Sequence, residues 1–103
     1  MKPLLAVALL ALLPVTAHAQ TKKPTPEQLC ELAGTWAAVV MQARQNGHPV
    51  SSVLQTMGNA PGGSRQLVIA AYEEPRYSTV QMQQKAKQDF QNAVELDCFK
   101  KIR

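Results

Sequence analysis

The sequence predicts an all-α fold, a small bundle of two long and two short helices with one disulfide. Apolar residues recur at intervals of three and four through most of the chain, as they do on one face of a helix. Four segments carry residues that typically begin or end helices, and the chain has 2 cysteines. With 103 residues, 46% of them hydrophobic and 17% charged, the chain has room for one small globular domain.

Residues 1–19 have the pattern of a secretory signal peptide. Lys2 supplies a positive start, an apolar run follows at Leu4–Leu13, and Pro14 ends this run. A membrane-spanning helix needs roughly twenty apolar residues, and this run has only about half that number. The pattern therefore favours a cleaved signal over a membrane anchor.

The cleavage site is predicted before Gln20, because Ala17 and Ala19 place small residues at the two positions that signal peptidase selects. The residue directly after this site is Gln20 and not a cysteine, so we expect no lipid attachment. Residues 20–25 are predicted to form a flexible leader, and residues 26–103 a single helical domain. We expect a periplasmic or secreted protein.

The first helix is predicted to begin at Pro26, with Thr25 as its N-cap and Gln28 completing a capping box. Gly47 is predicted to end it. We expect its apolar stripe to face the core, with Trp36 at the centre of the stripe. The stripe consists of Leu29, Leu32, Ala33, Trp36, Ala37, Val39, Val40 and Ala43.

Two short helices are predicted next. Ser51 or Ser52 caps the first of them, and the loop at residues 59–63 follows it. Ser64 caps the second, which extends over Arg65–Glu74 until Pro75 prevents its continuation. The methionines Met41 and Met57 are expected in the core together with Trp36.

The second long helix is predicted over about Val80–Lys101, with Ser78 and Thr79 as capping residues. Asp97 falls on its apolar face; we expect it at the rim, paired with Lys101, rather than buried with a function of its own. The predicted apolar face consists of Met82, Ala86, Phe90, Ala93 and Val94.

Cys30 and Cys98 are predicted to form the disulfide. They lie in the first turn of one long helix and the last turn of the other, so a bond between them requires antiparallel helices. Closing so long a loop stabilises the fold by about 4 kcal/mol in the chain-entropy treatment. A redox-active pair is the alternative, but it would need a closer spacing such as Cys-x-x-Cys.

The residues needed for catalysis or metal binding are few. His48 is the only histidine after the predicted cleavage, and no zinc, calcium or phosphate-loop motif and no Gly-x-Ser-x-Gly elbow occurs. We therefore expect no enzyme, no cofactor and no metal. The segment from Gly62 to Arg65 could bind an anion at a helix start, but simple turn formation is the favoured interpretation.

The positive charge does not predict nucleic-acid binding. The formal net charge is only +4, and its lysine pairs, Lys22 with Lys23 and Lys100 with Lys101, lie at opposite ends of the domain. We expect no nucleic-acid partner and no membrane span after cleavage; the sequence leaves the oligomeric state open.

A short polar and aromatic segment is the predicted contact surface for a protein partner. Two glutamates at a helix C-terminus oppose the helix dipole, and tyrosine and arginine are enriched at interfaces. The alternative is that arginines neutralise the glutamates while the tyrosines pack. The predicted partner-binding residues are Arg44, Tyr72, Glu73, Glu74, Arg76 and Tyr77.

The chain also resembles small exported proteins of bacterial genomes and prophages. The resemblance rests on Arg44 with Gly47, on Ala70-Ala71-Tyr72-x-x-Pro75, on the Gln84 to Phe90 segment, and on Cys98. It implies a role such as blocking superinfection or modulating lysis, and it brings no catalytic residues.

Together, the charge, the cysteines and the missing motifs predict a protein-binding module of the cell envelope. The alternative from another class is a small periplasmic holdase-type chaperone. Chaperones of that kind open at low pH, and 7 acidic residues with a single retained histidine make a poor pH switch.

Overall fold

The computed structural model describes residues 22–57 and 64–102. These residues form the predicted all-α fold, with α1 (Pro26–Gln45), α2 (Val50–Met57), α3 (Ser64–Tyr72) and α4 (Val80–Lys101), and the two described stretches contain no strand. The predicted signal peptide, the first two leader residues, and the loop with the glycines of the alternative anion site lie outside the described residues.

Both long helices begin at the predicted caps. Thr25 Oγ1 accepts a hydrogen bond of 3.1 Å from the Gln28 amide, and Gln28 Oε1 accepts one of 2.9 Å from the Thr25 amide. This is the complete capping box. At the start of α4, Thr79 Oγ1 accepts a hydrogen bond of 3.1 Å from the Met82 amide. Local sequence signals therefore set the two starts.

α1 ends in a Schellman motif around Gly47, as its glycine predicts. The Gly47 amide donates to the Arg44 carbonyl at 3.0 Å, and the His48 amide donates to the Ala43 carbonyl at 3.1 Å. Gly47 has φ of +86°, a left-handed conformation that costs a residue with a Cβ about 1–2 kcal/mol. The predicted end of the first helix is confirmed.

The short helices differ from prediction at their ends. α2 begins at Val50, because the Pro49 carbonyl accepts hydrogen bonds from Ser52 and Val53 at 3.1 and 3.3 Å. The serines thus lie inside the first turn and do not cap the helix. Proline can precede a helix in this way since its missing N–H is not needed there.

α3 also differs, since it includes Ser64 and ends at Tyr72. Glu73 and Glu74 follow in a turn, in which their amides donate to the carbonyls of residues 69 and 71 at 3.1 Å. The ring of Pro75 disfavours helical geometry in the residue before it, so the helix ends ahead of the predicted boundary.

The predicted disulfide is confirmed. Cys30 and Cys98 are joined across a sequence separation of 68, with their Cα atoms 5.4 Å apart. The bond ties the first turn of α1 to the last turn of α4, and these two helices form the most extensive packing in the fold. They run antiparallel, as the disulfide requires.

The core lies at the C-terminal half of α1. α2 and α3 have 8 and 9 residues, so they are about 12–14 Å long, and the 20 residues of α1 extend about 30 Å. The short helices therefore cover only half of α1. Met41 and Met57 are in the core, as predicted. The core residues are Val40, Met41, Val53, Met57, Val68 and Ala71.

The prediction that Trp36 lies in the core is wrong. Its side chain remains 37% exposed, because the face of α1 that packs on α4 consists of the small residues Cys30, Gly34 and Ala37. Small residues let the two helix backbones approach closely, so the covalently tied pair packs on this face. Three other residues of the predicted stripe are also exposed, namely Leu29, Leu32 and Val39.

α4 contains no buried residue, although Ala86, Phe90 and Val94 of its predicted apolar face are half-buried. Met82 and Ala93 of the same prediction are exposed, because only one side of α4 meets another helix. The predicted ion pair is present: Lys101 Nζ lies 3.0 Å from the exposed Asp97 carboxylate. An exposed pair of this kind contributes little stability.

Candidate protein-binding surfaces

A buried glutamine at the end of α1 organises the connection between α3 and α4. Gln45 is 1% exposed. Its Nε2 donates to the Pro75 carbonyl at 2.8 Å, and its Oε1 accepts from the Tyr77 amide at 2.8 Å. Arg76 Nε donates to the Gln45 carbonyl at 3.0 Å. The side chain and the backbone carbonyl of Gln45 therefore hold Pro75, Arg76 and Tyr77, three consecutive residues of the connection.

Arg44 and Tyr72 form a second set of contacts beside this one. Arg44 Nε donates to the Glu74 carbonyl at 3.0 Å, and its guanidinium carbon lies 5.2 Å from the centre of the Tyr72 ring. The Tyr72 hydroxyl donates to the His48 carbonyl at 2.6 Å. Burial raises the pKa of Tyr72, and the charge of Arg44 opposes that rise. At neutral pH the hydroxyl is thus a proton donor.

The structure brings the six predicted partner-binding residues into one cluster. Four of them, Arg44, Tyr72, Arg76 and Tyr77, make contacts that hold the connection to α1. The arginines donate to backbone carbonyls, and neither Glu73 nor Glu74 makes an ion pair with any described residue. The glutamates remain exposed. A contact role for this cluster therefore stays a prediction.

A second surface is the α1 apolar face, which we define as Leu29, Leu32, Trp36 and Val39. Their exposed fractions are between 37% and 51%. Their spacing alternates strictly between three and four residues, which places them on one side of the helix over three turns. This side is turned away from the residues that pack on α4. Leaving four large apolar side chains exposed together is typical of an interaction site.

An open apolar groove continues the α1 apolar face toward the core. It has a volume of about 250 Å³ and lies between α1 and α2. Val39 belongs to both the face and the groove, so the two form one surface. The groove is lined mainly by Val39, Val40, Ala43, His48, Val53 and Met57.

The apolar stripe of α1 is recognisable in the sequence, but its hydrophobicity predicts a place in the core. Two signals point to the exposed arrangement. Cys30, Gly34 and Ala37 are small residues on a different side of the helix from Trp36, and the disulfide fixes that side as the one that meets α4. The burial of Gln45 is not predictable from the sequence, because an uncharged polar residue in the last turn of a helix carries no signal of burial.

The described residues show neither a metal site nor a helix that could span a membrane. Within residues 22–57 and 64–102, no cluster of three His, Cys, Asp or Glu side chains is arranged to hold a metal ion. None of the helices described has the length and apolar character that crossing a membrane requires. Comparisons with protein families, curated proteins and solved structures find no match to this chain.

Proposed function

We propose that the protein is a periplasmic or secreted protein-binding module that contacts its partner through the α1 apolar face. The exposure of Leu29, Leu32, Trp36 and Val39 on one side of α1 carries this proposal. Burying a large apolar side chain completely contributes about 1.5–3 kcal/mol, so covering these half-exposed residues contributes about 1 kcal/mol each.

The disulfide supports binding as well as stability. It fixes α1 against α4 at the end where the short helices give no cover, so the face is held rigid before a partner arrives. A rigid surface loses less conformational entropy on binding. The bond is also compatible with an oxidising compartment, as the predicted signal peptide suggests.

The Tyr72–Tyr77 segment has a positioning role, which differs from the binding role of the α1 apolar face. Its hydrogen bonds to Gln45 and Arg44 hold the end of α1 in place, which makes it a positioning element. The carboxylates of Glu73 and Glu74 are exposed and make no ion pair with a described residue, and they give the segment a smaller share in binding than the apolar face.

Site-specific photocrosslinking in cells that export the protein tests the proposal. A photoreactive amino acid replaces Thr35, which borders the α1 apolar face, or Glu73 of the Tyr72–Tyr77 segment, or Gln88 of α4 as the control. All three residues are exposed. We expect discrete protein adducts from position 35, few from position 73, and none above background from position 88.

Each other outcome contradicts the proposal. Adducts confined to position 73 would place the contact on the Tyr72–Tyr77 cluster. A lack of adducts at all three positions would contradict protein binding. A continuous smear of adducts from position 35, with protection of an aggregating client by the purified protein, would identify the holdase-type chaperone instead of a module with a defined partner.

A further inference from the structure

We infer that the partner of the α1 apolar face is a second copy of this chain, docked antiparallel along α1. This rests on the proposed function and names the occupant of its site. The proposal joins two observations, the heptad spacing of the face and the position of the groove at only one end of it.

The spacing is that of a helix–helix seam. Leu29, Leu32, Trp36, Val39 and Ala43 occupy successive a and d positions, and this repeat lets one helix insert its side chains between those of another along a shallow supercoil. A partner that contacted α1 at one point would not need five positions in strict register. The repeat therefore indicates a helix as the occupant.

The positions that flank the seam allow two identical helices to meet. Gln28, Ala33, Thr35, Val40 and Gln42 occupy the e and g positions, and all of them are uncharged. In coiled coils these positions select partners by charge, and like charges there would separate two copies of a basic chain. Here no such repulsion arises at the seam.

The groove determines the direction of the second copy. An antiparallel pair of α1 helices centred on Trp36 places Leu29 of each copy opposite Ala43 of the other. Ala43 is half-buried and lines the groove, so Leu29 of one helix meets the groove of the other. A parallel pair would set leucine against leucine and leave both grooves empty.

This arrangement is self-complementary, as a twofold interface must be. It also places the single tryptophan of the chain at the symmetry axis, so that tryptophan emission reports the contact directly. The helix–helix contact is short, and we therefore expect a dimer that dissociates on dilution.

Sedimentation equilibrium of the disulfide-bonded protein, from about 1 µM to about 300 µM, tests the inference. We expect the mass to approach twice that of one chain at the upper end, with the tryptophan emission moving to shorter wavelength over the same range. Leu32→Glu is expected to weaken association about tenfold or more with little change in melting temperature, because Leu32 is half exposed in the single chain.

The control is Leu96→Glu, since Leu96 is an equally large and exposed residue of α4 outside the seam. It should associate as the original protein does. Leu29→Gln provides a second seam variant if Leu32→Glu fails to fold, and the emission of the unaltered protein needs no variant.

A single-chain mass and constant emission at about 300 µM would overturn the inference, and so would equal weakening by Leu96→Glu and Leu32→Glu. The inference of self-association and the proposed function can be refuted separately. If the protein stays monomeric while position 35 crosslinks to a different protein, the face binds a partner of another kind. If position 35 crosslinks to nothing, the proposed function fails as well.

Discussion

Replacing Gly34 with alanine tests the close approach of α1 and α4. Gly34 is buried, and a Cβ added there would lie 2.6 Å from Glu95 Cδ and closer still to the Cγ and Oε2 atoms. Alanine favours a helix interior over glycine by about 0.5–1 kcal/mol. Overpacking a tight contact costs about 1–3 kcal/mol, so the net expectation is that Gly34→Ala lowers the free energy of unfolding by about 1 kcal/mol.

A double-mutant cycle with Glu95→Ala separates the two effects. Once the Glu95 side chain is shortened, only the helix preference remains, and Gly34→Ala should raise the free energy of unfolding by about 0.5–1 kcal/mol. Urea denaturation of the four oxidised proteins measures the coupling. Thr35→Ala, one residue along on the exposed side, is the control and should change stability equally in both backgrounds. Stabilisation by Gly34→Ala in both backgrounds would refute the described packing.

Three further predictions concern the cross-link, the buried glutamine and the tyrosine. Reduction, or Cys30→Ser, should lower the free energy of unfolding by about 4 kcal/mol, because it frees a loop closed across 68 residues; an unchanged melting temperature would contradict this. Gln45→Ala should cost about 2–3 kcal/mol and speed amide exchange in residues 75–77, whereas slow exchange there would show that Gln45 does not hold them. The pKa of Tyr72 is raised above its ordinary value of 10.0, so the folded state keeps the hydroxyl proton to higher pH than the unfolded state does. The contribution of Tyr72 to the free energy of unfolding should therefore be complete below about pH 10 and decrease as the pH rises further. Tyr72→Phe should make this decrease smaller.

The features that follow from local chemistry are predictable from the sequence. The capping box at Thr25, the cap at Thr79 and the left-handed Gly47 each depend on residues within one turn, and the structure confirms all three. The pairing of Cys30 with Cys98 is also predictable, because two cysteines in a chain that is predicted to be exported allow a single internal bond.

The orientation of α1 is not predictable from its apolar pattern alone. The helix carries two candidate packing faces, one of large residues around Trp36 and one of small residues around Gly34. Hydrophobicity favours the first face. Close packing and the disulfide select the second, and this choice depends on α4, which lies far along the chain.

The candidate surfaces also combine features that are predictable from the sequence with features that depend on distant contacts. The sequence places Tyr72–Tyr77 near one another by adjacency, but the burial of Gln45 that organises them depends on contacts across about thirty residues. The exposure of the α1 apolar face depends on the length of α2 and α3. Since those helices are short, half of α1 has α4 on one side and no described helix on the other.

Oxidative footprinting of Trp36 tests the central claim most directly, because it reports whether a partner covers the α1 apolar face in the cell. Hydroxyl radicals would be generated in exporting cells and, separately, in dilute purified protein, with oxidation of each residue measured by mass spectrometry. Met82 of α4 is the internal control, since it is 40% exposed and Trp36 is 37% exposed. We predict that Trp36 is protected several-fold in cells relative to dilute protein, while Met82 reacts equally in both. Equal oxidation of Trp36 in both settings would contradict the account.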